Sequence, residues 1–215
     1  MLATFIIEIA LAFYTFFRFR LSKFAQLTTL MLVLFAVFQL SEYQICSNNY
    51  TLTWARVGFV AITLLPILGL HLINLVNNKT HFLKLGYILS ILFIFSYLFA
   101  PNVITNANCG GNYIIFRVST PVSWLYGFYY FGFLILAIWE IIEQLIELKL
   151  TNARSEKDLL YWIAVGYISF LFPMGIIYIL SPSARAAVPS IMCGFAVIFA
   201  LILTLRVVPL YHRNK

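Results

Sequence analysis

Long apolar runs alternate with short polar stretches along the whole chain, and seven of the runs are long enough to matter: 2–17, 26–43, 53–76, 85–100, 121–146, 159–180 and 187–208. A bilayer's hydrocarbon core, about 30 Å thick, takes roughly 20 helical residues, and a helix satisfies its own backbone hydrogen bonds there. The pattern predicts an all-α integral membrane protein, a seven-transmembrane-helix bundle forming one domain over residues 1–215. The first run carries Glu8 and has neither a basic leader nor a small-residue cleavage site. It is expected to stay as a helix rather than to be removed as a signal peptide. Composition agrees with lipid as the main solvent, since 63% of residues are hydrophobic and 10% charged.

The charges between the runs and near their ends orient the bundle. Arg18, Arg20, Lys23, Lys79, Lys84, Lys149, Arg154, Lys157, Arg206, Arg213 and Lys215 fall on one side, and only Arg56, Arg117 and Arg185 on the other. Basic residues collect on the cytoplasmic side, so the N-terminus is expected outside and the C-terminus in the cytoplasm. This placement also accounts for the net charge of +7 without nucleic acid as a partner.

Polar residues within the runs are the candidates for chemistry, because a carboxylate at membrane depth is costly and generally has a partner or a function. Gln39 and Glu42 share a face near the end of the second run, and Arg56 follows across a short turn. Two readings are open: a Glu42–Arg56 pair that pins two helices, or one wall of an outward-facing ligand pocket. Glu8 is a second embedded acid that can join the cluster. Arg117 and Arg185 are further outer cations, in the bland reading merely solvated.

Cys46 and Cys109 both fall in outer segments, where a disulfide would tether the connection 102–120, with its Cys109-Gly110-Gly111 turn, to the second helix. Cys193 lies inside the last run. His71, His81 and His212 have no shared metal-ligand spacing, so no metal is expected. Pro66 and Pro173 stand mid-run, as kinks or hinges. Glu140, Glu143 and Glu147 recur at helical spacing where the fifth helix runs on toward the cytoplasm, a candidate surface for a protein partner. The run Trp124, Tyr126, Phe128, Tyr129, Tyr130, Phe131 and Phe133 is expected to face mainly lipid.

Several chemistries are excluded. No lysine lies within a run, so retinal has no amine for a Schiff base, and no other cofactor is called for. Walker-type loops, His-Glu-x-x-His and nucleophile elbows are absent, which argues against an enzyme. No pair of Gly/Pro-broken runs occupies matching halves, as in many transporters.

Two resemblances bear on function. The stretch Trp54-Ala55-Arg56-Val57-Gly58-Phe59-Val60-Ala61-Ile62-Thr63-Leu64-Leu65-Pro66, with Phe172-Pro173-Met174-Gly175-Ile176-Ile177-Tyr178-Ile179-Leu180 and Val188-Pro189-Ser190, resembles the seven-helix sensor region of membrane histidine kinases. That likeness implies a prokaryotic cytoplasmic membrane and a bundle that senses a signal for an output domain; no kinase domain is present in these 215 residues. Gln39 with Glu42, and Ser190-Ile191-Met192-Cys193-Gly194-Phe195-Ala196, are similar to an uncharacterised family of small bacterial seven-helix membrane proteins with a Gln-x-x-Glu second helix. It implies that Cys193 faces Gln39 and Glu42, and no activity. Together they give the expected function: a sensor- or receptor-like module that binds a small or lipidic ligand near Glu8, Gln39, Glu42, Arg56 and Cys193 and signals to a separate partner. The alternative is a structural or accessory subunit of a membrane complex.

Overall fold

The computed structural model of the chain describes residues 1–47, 51–77, 82–110, 113–151, 154–181 and 187–213. Seven long helices follow one another: α1 (Leu2–Phe19), α2 (Lys23–Cys46), α3 (Thr51–Asn77), α4 (Leu83–Phe99), α5 (Thr120–Thr151), α6 (Arg154–Leu180) and α7 (Val188–Ile202). A π-helical turn (Leu203–Val207) and a last helical segment, α8 (Val208–Arg213), continue the line of α7. Six of these stretches are long and apolar enough to cross a membrane, and α4, at 17 residues, is shorter.

Burial separates a centre from a periphery. The membrane-length window of α3 is 72% buried and that of α1 only 22%. α2 and α3 therefore form the central pair; α1 and α7 pack on α2, α4 and α5 pack on α3, and α6 lies between α5 and α7. The central core runs through Phe24, Met31, Phe35, Phe38, Phe59, Ile62, Ile67 and Ile73. Exposed Leu, Ile and Phe side chains cover the outside, as on Phe17, Leu92, Phe95, Phe172 and Ile179. Such a surface is stable only against lipid or another apolar surface.

The connection between α4 and α5 folds as a two-stranded antiparallel hairpin, β1 (Ile104–Cys109) and β2 (Ile114–Val118), where the sequence suggested a loop. Its pattern is faint because each strand has only two or three inward residues. Ile104, Ala107, Ile114 and Phe116 are buried, and the Phe116 ring lies 5.0 Å from that of Phe59 and 6.2 Å from that of Phe38. The hairpin thus caps the end of the bundle where α2 finishes and α3 begins.

The aromatic run of α5 divides between two surroundings. Trp124 and Phe128 point outward, but Tyr126, Tyr129, Tyr130 and Phe133 are buried, which corrects the expectation of mainly lipid contact. Hydroxyl groups explain the inward turn: Tyr129 donates to the Thr63 carbonyl at 2.6 Å and shares a 2.7 Å bond with Ser90, while Tyr126 lies 3.3 Å from Thr63 Oγ1. In lipid those hydroxyls would have no partner.

Close approach of α4 to this core depends on Gly86. A Cβ there would collide with Ile67 and lie 2.8 Å from Phe133 Cε1, whereas one at Gly132 meets no heavy atom within 4 Å. Gly86→Leu is expected to destabilise the bundle by about 1–3 kcal/mol through overpacking, and Gly132→Leu to be close to neutral. Thermal unfolding of both variants in nanodiscs checks this, and equal midpoints would contradict it.

Candidate functional site

Three helices present polar residues to one another just beneath the hairpin. Thr4 and Glu8 stand one turn apart on α1, Gln39 and Glu42 three residues apart on α2, and Ser190 and Cys193 three apart on α7. Each spacing puts its pair on one helix face. Ala12, Leu32 and Ala200 pack together one level deeper and hold the three helices close. Side chains lean toward their own helix N-terminus, and α1 and α2 are antiparallel, so the Glu8 and Glu42 carboxyl groups lean toward each other.

The cluster is cut off from solvent. Relative exposures are 0% for Glu8, 2% for Gln39 and Glu42, 4% for Ser190 and 1% for Cys193. Thr4 Oγ1 lies 2.9 Å from Gln39 Oε1 across the α1–α2 contact. Ser190 donates its hydroxyl to Glu42 and accepts the Ile114 backbone N–H of β2 at 3.0 Å, so the hairpin, α7 and α2 join at one oxygen. Glu8 lies within electrostatic range of Glu42, and Cys193 of both. Yet Glu8 Oε1 and Oε2, Glu42 Oε1 and Gln39 Nε2 have no hydrogen-bond partner. Buried polar atoms are seldom left so, each costing about 1–3 kcal/mol, and four gathered at one helix junction mark a functional candidate.

Arg56 does not belong to this cluster. No ion pair joins it to Glu42 among the described residues; its Nη1 donates instead to the Leu98 carbonyl at the end of α4, at 3.3 Å, and its Nε is unpartnered. The reason is helical phase. Gly58 faces Ser41 of α2, and Arg56, two residues earlier, is turned about 200° away toward α4. No family model and no curated protein matches the chain.

The remaining sequence candidates lie elsewhere. Cys46 and Cys109 form a disulfide that ties the hairpin to the end of α2. Arg117 is exposed on β2, its carbonyl accepting from the Thr105 hydroxyl at 3.0 Å. Arg185, Lys79, His81, Gly111 and Lys215 lie outside the described residues. His71 Nδ1 bonds Tyr87 at 2.7 Å, and the His212 ring lies 5.5 Å from that of Phe19. Among the described residues no group of three or more His, Cys, Asp and Glu is placed to hold a metal ion. Pro66 and Pro173 are inside α3 and α6, as their positions require. The three glutamates of α5 part company: Glu143 and Glu147 are exposed, but Glu140 is only 6% exposed because its face continues the buried line of Ala137 and Ile141. Glu140 is therefore no part of an open partner surface.

Thr4 escaped the sequence reading, and Ser190 entered it only as part of a resembling motif and not as a site residue, although each had a signal. Each sits one helical turn before an embedded candidate, Thr4 before Glu8 and Ser190 before Cys193. Below the cluster, Cys193, Pro66, Met31, Phe35, Tyr130 and Tyr167 help to line a cavity of about 20 Å³, enough for a single water.

Proposed function

We propose that the chain is a sensor- or receptor-like membrane module whose ligand site is the cluster of Glu8, Gln39, Glu42 and Cys193, with Ser190 and Thr4 as additional members. The observation that carries this reading is the set of buried carboxyl and amide atoms without partners at the α1–α2–α7 junction. Filling a fold needs no such atoms, and apolar side chains would do it at lower cost. The hairpin end is taken to face outward, because Arg56 and Arg117 sit there, while Arg18, Arg20, Lys23, Lys84, Arg206 and Arg213 sit at the other end. Ligand binding would bias the packing of α7 against α2, with the cavity beside Pro66 giving room for movement. Glu143 and Glu147 at the far end of α5 would offer the changed surface to a partner. A ligand acts in this way only by binding one arrangement more tightly than the other.

A site of this kind must open to its ligand, and Cys193 reports opening because it is buried and unbonded. With Cys46 and Cys109 held in their disulfide, it is the free thiol among the protein's three cysteines. A membrane-impermeant maleimide applied to the hairpin side of intact membranes is expected to label it within minutes to hours, and Glu42→Gln to alter that rate several-fold. Cys193 that stays unlabelled until the protein is denatured would sink the receptor reading.

A further inference from the structure

The pattern of unmet hydrogen bonds indicates what kind of ligand the cluster takes. Thr4 has a single hydroxyl proton, and its Oγ1 lies 2.6 Å from the Met1 carbonyl and 2.9 Å from Gln39 Oε1. It cannot donate to both. The shorter contact takes the proton, which leaves two oxygens facing each other at Gln39. The oxygen and nitrogen of an amide are assigned from the bonding network, and turning this one lets Nε2 donate to Thr4. Oε1 then takes the position from which Nε2 had no partner.

With the amide turned, every unpartnered atom of the cluster is an oxygen: both of Glu8, one of Glu42 and one of Gln39. Thr4 Oγ1 and Ser190 Oγ stand beside them. The Met1 ammonium lies within electrostatic range of Glu8 and Glu42 but hydrogen-bonds none of these unpartnered oxygens, and Arg56 is committed to α4. Two acids with one ammonium in range still leave converging oxygens that call for a further positive charge. Burial narrows the choice, because Glu8, Gln39 and Glu42 are each 2% exposed or less and sit at a close-packed junction of three helices. Such a junction favours a single ion over an organic ammonium. Hard cations prefer carboxylate, amide and hydroxyl oxygens, and the absence of histidine from the cluster disfavours softer transition metals.

We infer that Glu8, Gln39 and Glu42, with Thr4 and Ser190, form a binding site for one compact hard cation, Na⁺ or Ca²⁺, sealed under the hairpin. The two ions share this oxygen chemistry and differ in charge; Ca²⁺ would balance both carboxylates and Na⁺ one. The inference rests on reading the cluster as a ligand site, and it goes further by naming the ligand's class.

The test is thermal unfolding of the full chain in nanodiscs of zwitterionic lipid, stripped of metal with a chelator and then titrated with NaCl or CaCl₂. Choline chloride holds the ionic strength constant, and KCl and MgCl₂ serve as comparison salts. A saturable rise of about 5–10 °C at a hundredfold excess over Kd is expected for Na⁺ or for Ca²⁺, and which of them acts identifies the ion. Glu8→Gln and Glu42→Gln should each remove most of the rise, so one suffices if the other fails to fold. Midpoints that follow ionic strength alone, or a rise retained in both variants, overturn the cation site. Its failure is separable from that of the receptor reading: labelled Cys193 without a cation response leaves an open site for some other ligand. A cation response with unlabelled Cys193 leaves a sealed structural ion and no receptor.

Discussion

Replacing Cys46 and Cys109 together by alanine is expected to lower the bundle's stability by about 2–4 kcal/mol and to loosen the hairpin before any helix. The bond closes a loop of 63 residues in sequence separation, which includes all of α3 and α4. Its loss restores to the unfolded chain the freedom of that loop. The native hairpin is held by little else: a short ladder, Ile104, Ala107, Ile114 and Phe116 packed on α2 and α3, and the Ile114–Ser190 bond. Two measurements check the order of events. Hydrogen exchange should rise first at residues 104–118, and the unfolding midpoint should fall. Unchanged exchange there, with the midpoint intact, would mean that packing alone holds the cap.

This hairpin also marks where the sequence stopped being readable. The apolar runs located all seven helices, because the desolvation that favours a long apolar helix acts on every residue along it. Helix ends were less visible: α2 extends from Lys23 to Cys46 against an apolar run of 26–43, and α5 reaches Thr151 beyond a run ending at 146. Hydrogen bonding continues past the point where hydropathy falls. For the site, Gln39 and Glu42 stood out because polar atoms are expensive within a span. Their partners did not, since partnership depends on helix phase and packing order. Arg56 was the nearest cation in sequence and turned out to face α4, while Ser190 arrived from a helix about 150 residues away in the chain. The Cys46–Cys109 pairing was the exception, as two cysteines expected at the same end of the bundle leave little choice.

Glu8→Leu should stabilise the metal-free protein by about 1–3 kcal/mol while abolishing its response to cations. The direction is unusual for a core substitution, most of which destabilise. Glu8 is fully buried, both its carboxyl oxygens lack partners, and leucine is close to it in size. Removing the carboxyl therefore deletes an uncompensated polar group at little packing cost. Thr15 supplies the comparison on the same helix: it is as buried as Glu8, but its hydroxyl donates to the Leu11 carbonyl at 2.8 Å. Thr15→Val should bring no such gain, because its polar atom is already satisfied. Thermal unfolding of the two variants and the parent chain in chelator-treated nanodiscs measures the difference. Should Glu8→Leu instead cost as much as an ordinary core mutation, the carboxyl would be holding the helices together, and the cluster would be a structural device. A gain in stability bought with loss of ion response is what a binding site carries that a scaffold does not. Glu8 is the one acid of α1, and a ligand that supplies its missing partner accounts for a carboxyl that the fold does not need.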